Sequence, residues 1–347
     1  MMKAGYMPNA GATLKRIAKK SGLSCSTVSR ALANHPDVNT KTRQMVKEVA
    51  NSLGYRPNWA AKSLVRGKSN LVAFIVPGWD MWSTAMYETA RETLHQASFM
   101  PVFYPTNSHT EWEIELIDFV LTQRPGGIVW LPSAESDIPK LAEVIGASKV
   151  PLIVLDRLAT GCPGTFVCTD DRRGIATGVA HVVADGRRRV ALIAGKHEHQ
   201  TFQWRQEGFR QAVADAGIPE GDATIVEIAG YRLAEFEPYF NAYEAGKRLL
   251  SQSARPTAIL GSTDEHAWGA LDAARDLGIS VPHDLRIIGY GDYIPRAITR
   301  VSLSTIVQDR NAIVHQSIHE LLDQMNGEYK AENRMIVIPT RLEIRDT

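Results

Sequence analysis

TLKRIAKKSGLSCSTVSRALANHPDVNTKTRQMVKEVANSLGYRP, residues 13–57, holds three short helical patterns in succession. Thr13 is a good N-cap, and Leu14, Ile17 and Ala18 fall on one helical face behind it. Gly22 supplies a turn. Ser24 caps a second helix over 24–32, with Val28 and Leu32 on its inner face and Cys25, Ser26, Ser29 and Arg30 facing outward. A third helix is expected over roughly 40–53, with Val46, Val49 and Leu53 inside and Gly54 closing it. Two short helices joined by a Gly-containing turn, with a third to complete the core, make a helix-turn-helix arrangement. In that arrangement the second helix enters the DNA major groove with its N-terminal side chains at base edges. An arginine there reads guanine with two hydrogen bonds, and Ser and Thr reach bases or phosphates.

Charge separates this reading from a plain three-helix bundle. Residues 1–70 carry 13 Lys and Arg against Asp37 and Glu48, a net of +11. The remainder carries 26 basic and 36 acidic residues, a net of −10, so the whole chain totals only +1. A basic head on an acidic body is a nucleic-acid footprint, because clustered cations displace the counterions of phosphates. The chain has 347 residues, 44% apolar and 22% charged, enough for two or three domains with cores of their own. No apolar run reaches transmembrane length, and no membrane partner is expected. The first residues lack the apolar core of a secretory signal, and three cysteines (Cys25, Cys162, Cys168) make no disulfide framework. A reducing cytoplasm is the expected compartment.

Spaced features of the head resemble the LacI/GalR family of bacterial transcription regulators. They are the T-h-x-x-h-A start, S-x-x-T-V-S-R in the second helix, T-R-x-x-V in the third, and G-Y-x-P-N followed by A-x-x-L. The resemblance implies that Cys25 and Ser26 select the operator and that Arg30 contacts a base. Ser24 and Ser29 belong to the same reading helix. Thr13, Thr27, Asn39, Thr42, Tyr55 and Asn58 match positions that contact phosphates or set register. Residues 58–66, NWAAKSLVR, match a hinge helix that enters the minor groove, with Ala61 and Lys62 on it and Leu64 as the wedge at the central base step. Lys62 stands where Arg is common, and a thiol such as Cys25 is a weak hydrogen-bonding reader.

Beyond residue 70 the pattern alternates strands with helices. LVAFIVP (71–77), PVFYPT (101–106), GGIVWLP (126–132) and VPLIVLD (150–156) form one series of buried-strand runs. RVALIAG (189–195), ATIVEIA (223–229), TAILGST (257–263) and LRIIGYGD (285–292) form a second. Two β-α-β series predict an α/β body of two doubly wound parallel-sheet subdomains, similar to periplasmic binding proteins. The expected domains are a helix-turn-helix head (1–57), a hinge helix and linker (58–69) and an effector and dimerisation body (70–347). Within the body, one subdomain takes about 70–168 plus 299–330 and the other about 169–298 plus 331–347.

Ligands of such folds bind outside the carboxyl ends of the strands. Those ends supply Trp79, Trp82, Asp156, Arg157, Asp170, Arg205, Thr263, Asp264, Tyr290, Asp292 and Gln308. Aromatics stack on sugar faces, while Arg, Asp and Gln bind hydroxyls or carboxylates. The family resemblance makes Arg205, in W-R-Q-E-G-F, the effector-binding arginine. Two departures weaken a neutral-hexose pattern: Gly291 stands where the family commonly has an Asp, and Thr263 where it often has Asn. The effector is then expected to be a sugar, a sugar acid or another sugar derivative.

No P-loop, G-x-G-x-x-G after the first strand or G-x-S-x-G elbow is present, so neither an enzyme nor a cofactor is expected. His197 and His199 lack the further ligands of a zinc site. The expected molecule is a homodimeric transcription regulator, most simply a repressor, on a near-palindromic double-stranded operator. A small effector in the cleft would control its operator affinity. The alternative is a solute-binding protein with no DNA role, against which the basic head argues.

Overall fold

The computed structural model describes residues 13–55, 69–78, 81–107, 110–133, 136–156, 164–196, 200–229, 237–292, 301–328 and 334–347. Asn58, Ala61, Lys62, Leu64, Trp79, Arg157, Cys162, His197 and His199, and the side chain of Trp82, lie outside it. The chain divides into two compact units, 1–67 and 68–347.

In the first unit, α1 (Leu14–Ser21), α2 (Cys25–Leu32) and α3 (Thr40–Ser52) surround Ile17, Val28, Ala31, Val46 and Ala50. Each helix starts at a side-chain cap: Thr13, Ser24 and Asn39 accept from the backbone N–H three residues on. This satisfies donors that no helical carbonyl can reach. Gly22 at φ 69° and Gly54 at φ 61° take the left-handed conformation that ends α1 and α3.

The second unit holds two six-stranded sheets. The first runs β11-β5-β4-β3-β1-β2, from β1 (Leu71–Val76), β2 (Met100–Pro105), β3 (Gly127–Trp130), β4 (Leu152–Leu155), β5 (Thr165–Thr169) and β11 (Arg334–Ile338). The second runs β12-β10-β9-β8-β6-β7, from β6 (Val190–Gly195), β7 (Ala223–Ile228), β8 (Ala258–Gly261), β9 (Arg286–Gly291), β10 (Ser304–Gln308) and β12 (Thr340–Glu343). Pairing is parallel except between β10 and β12. Helices α4 (Met81–Gln96), α5 (Thr110–Thr122), α6 (Ile138–Ser148) and α11 (Arg310–Asp323) cover the first sheet. The second is covered by α7 (Asp171–Ala184), α8 (Gln200–Asp215), α9 (Glu237–Leu250) and α10 (Asp264–Asp276). Both faces are therefore buried, which is why the central strands read as unbroken apolar runs.

Three segments cross between the sheets: β5 to α7, β10 to α11, and β11 to β12. They run close together, since Asp170 N–H donates to the Ile338 carbonyl (3.2 Å) and Gln308 Nε2 donates to Thr169 Oγ1 (2.8 Å). Here the expected boundaries need correction. Residues 304–308, expected with the first subdomain, pair with β9 and β12 in the second sheet. Residues 334–338, expected with the second, pair with β5 in the first. β5, β10 and β12 also go beyond the strands expected from sequence, being short runs such as TFVCT and TRLE that begin or end on polar residues.

Candidate functional sites: a nucleic-acid interface and a polar cleft

On the head, packing Val28 and Ala31 inward turns the opposite face of α2 outward. Cys25, Ser26, Ser29 and Arg30 are all exposed on it. Ser24 Oγ lies 2.8 Å from both Ser26 Oγ and Thr27 Oγ1, so the start of this helix presents a cluster of hydroxyls. Thr27, Thr42 and Tyr55 are half-buried, and Tyr55 packs against the head core, where burial raises its phenol. Asn39 spends its Oδ1 on Thr42 N–H (2.8 Å), so a residue expected at phosphates also starts α3. No acidic side chain occupies the first turn of any of the three helices, leaving their positive ends uncompensated.

In the body, the carboxyl ends of the strands gather a second set of polar residues. Arg205, on α8, is 4% exposed. Its Nε donates to Asp171 Oδ1 (2.9 Å), Nη1 donates to the Ser262 carbonyl (2.5 Å), and its guanidinium lies 3.7 Å from the Tyr290 ring centroid. Burial alone would disfavour the charged guanidinium, but Asp171, then Tyr290 and Asp156, more than offset it and hold Arg205 above its ordinary value. Burial pushes the Asp171 carboxyl up and Arg205 pulls it part of the way back. Tyr290, buried beside Asp171, is raised well above the usual phenol range. Below this ring Gly174 leaves room that a Cβ would fill, 2.7 Å from the Tyr290 hydroxyl.

The network extends outward from Arg205. Ser262 Oγ lies 3.0 Å from His266 Nδ1 and accepts from Gly195 N–H (3.3 Å). Burial lowers His266 to about 3, so its ring is neutral. Asp156, at φ 63° after β4, accepts from Thr201 Oγ1 on α8 (3.2 Å), joining the two sheet layers across their strand ends. Burial, with Asp156, Asp171 and Asp170 around it, pushes the Cys168 thiol up to about 12.

Other expected cleft residues have structural partners. Asp170 and Thr263 are the N-caps of α7 and α10. Asp264 is buried and accepts from Thr305 Oγ1 (2.6 Å), and Asp292 pairs with Arg345 (2.7 Å). Asp171, Ser262, His266, Thr169 and Thr201 were missed by the sequence reading. The D-D pair at 170–171 and the Ser-x-x-x-His spacing at 262–266 were the available signals. A groove of about 760 Å³ between α7 and α8 lies away from these residues. Five of its twelve lining residues are alanines, and its Arg172 is already paired with Glu207. Among the described residues no three His, Cys, Asp or Glu are placed to hold a metal ion, and no helix is long and apolar enough to cross a membrane.

Comparison with known proteins bears on both units. Residues 13–58 match the family of bacterial regulatory proteins of the lacI type, and residues 179–347 match the periplasmic binding protein-like domain. The chain is 27% identical over 339 residues to catabolite control protein A of Priestia megaterium, covering 96% of this chain and 98% of that protein. It is 29% identical over 337 residues to the transcriptional regulator DegA of Bacillus subtilis, covering 96% and 97%. Its fold superposes on the lac repressor dimer solved with operator and the anti-inducer ONPF, with TM-score 0.82, 25% identity and coverage of 97% and 99%. A head whose second helix turns a polar face with Arg30 outward, a body of two parallel-dominated sheets with polar strand ends, and relatives matched over nearly their whole length lead to one conclusion: residues 13–58 match the lacI family of bacterial regulatory proteins, and the chain is a DNA-binding transcription regulator of that type, controlled by a small-molecule effector.

Proposed function

We propose that the protein is a cytoplasmic repressor rather than an enzyme, and that it acts as a homodimer. Two α2 helices read successive major grooves of a near-palindromic operator, with the hinge residues Asn58, Ala61, Lys62 and Leu64 in the minor groove between them. The observation that carries this is the exposed Cys25, Ser26, Ser29 and Arg30 face within an N-terminal segment, residues 1–70, of net charge +11. Arg30 is the base reader, Cys25 reads by shape, and Thr13, Thr27, Asn39, Thr42 and Tyr55 hold phosphates and register.

The effector occupies the cleft at the strand ends, touching Asp156, Arg205, Thr263 and Gln308, with Trp79, Trp82 and Arg157 completing it. An uncharged sugar or sugar derivative suits it better than a sugar acid, because the Arg205 charge is already met by Asp171 at 2.9 Å. Proteins of the same fold include one solved with cellobiose and one with bound ribose. The effector moves operator affinity only by its differential affinity for the two states of the body.

Fluorescence anisotropy on a palindromic operator with a central CG step tests the reading. Arg30→Ala is expected to weaken binding by about 1–3 kcal/mol and relax preference at one base position. Leu64→Ala is expected to weaken it further by removing the wedge. Unchanged affinity in both variants would sink the proposal.

A further inference from the structure

We infer that His315 and His319, one turn apart on α11, form a surface chelate for a divalent transition-metal ion of the Zn²⁺ or Ni²⁺ class. Residues four apart on a helix share a face, with Cβ atoms about 5–6 Å apart, and two histidines at that spacing can grip one ion. Both imidazoles are exposed. The first is also oriented. α11 lies beside α4, and two polar rungs join them: Thr89 Oγ1 donates to Asn311 Oδ1 (2.8 Å), and Thr93 Oγ1 lies 3.1 Å from His315 Nδ1.

The direction of the second rung follows from proton counting. The Thr93 hydroxyl has one proton and donates it to the Thr89 carbonyl at 2.9 Å. Toward His315 it is therefore an acceptor, and Nδ1 carries the hydrogen. In the neutral ring this leaves a lone pair on Nε2, the atom facing away from α4's threonine. Metal-ligating histidines are held this way, with the far nitrogen donating to an oxygen that fixes ring and tautomer. Imidazoles favour Zn²⁺, Ni²⁺ and Cu²⁺ over the oxygen-seeking Mg²⁺ and Ca²⁺. Two imidazoles supply two ligands and water the rest, consistent with no three-ligand group among the described residues. Neither histidine is among the polar residues of the cleft.

The test is calorimetric titration of the untagged, chelator-stripped full chain with Zn²⁺ and Ni²⁺. The chain has ten histidines, so variants decide the location. One ion per chain is expected at this site. His315→Ala and His319→Ala should each lose at least about tenfold in affinity, and Thr93→Val about tenfold through the lost orienting bond. His95→Ala, an exposed histidine on α4, should leave binding unchanged. Metal should also raise the melting temperature of the wild type and not of the His315→Ala chain. Absence of binding in the wild type, or wild-type affinity in either His315→Ala or His319→Ala, overturns the proposal. Far-UV circular dichroism confirms that each variant is folded.

Discussion

Arg205 and Asp171 are two buried charges facing each other at 2.9 Å, and the cost of separating them decides what substitution does there. Removing one partner of such a pair strands the other, at about 3–5 kcal/mol, whereas replacing both with apolar groups of similar volume is often neutral. Asp171→Ala is therefore expected to destabilise the body by that amount in urea unfolding. The double variant Arg205→Met with Asp171→Leu should recover most of the loss, though not the effector response. His266 gives a pH signature at the same scale. The unfolded chain takes up a proton there near 6.5, while the folded chain does so only at about 3. Between those values the unfolded state binds more protons, so stability falls as pH falls, by up to about 1.4 kcal/mol per unit. His266→Asn should flatten the wild-type loss of stability between pH 6.5 and 4, measured by chemical denaturation. An equally steep loss in the variant would exclude His266 as its source.

At the scale of elements, glycines set how closely helices approach. Gly208 on α8 faces the backbone of Arg172 on α7, and a Cβ there would collide with the Arg172 carbonyl and with Ile175. Alanine would add about 1 kcal/mol of helix propensity, but overpacking against a backbone that cannot yield costs about 1–3 kcal/mol. Gly208→Ala is expected to lower the melting temperature, while Gly221→Ala, with nothing within 4 Å, should leave it nearly unchanged. Helix starts were the most legible elements, because Thr13 and Ser24 cap by local chemistry. The same property obscured the cleft. Asp170 and Thr263 sit where a strand ends and a helix begins, so the signals for an N-cap and for a ligand contact fall on the same residue. Helical phase then decides between Asp170, which caps, and Asp171, which turns inward to Arg205.

Across the whole molecule, charge is divided between residues 1–70 at +11 and a −10 remainder. Operator binding should therefore depend steeply on salt despite a near-neutral chain. If about six phosphates are neutralised, affinity falls about 10³-fold between 50 and 200 mM salt. A slope near zero in an anisotropy titration would mean that the head does not engage phosphates. The two sheets exchange strands at three crossings, and the Asp156–Thr201 and Gln308–Thr169 bonds bridge them there.

The amino-acid sequence by itself determined the three-helix head, the outward face of α2, the charge division and the alternating strands and helices of the body. All of these follow from short-range periodicity, capping and composition. The tertiary structure alone decided which sheet receives each late strand. Residues 304–308 (STIVQ) and 334–338 (RMIVI) are short runs that carry no local mark of their sheet, and only pairing with β9 and β5 sorts them. It also decided that Asp264 and Asp292 serve Thr305 and Arg345, and that Arg205 meets a buried Asp171. Those partners lie 41, 53 and 34 residues away along the chain, beyond the reach of local pattern.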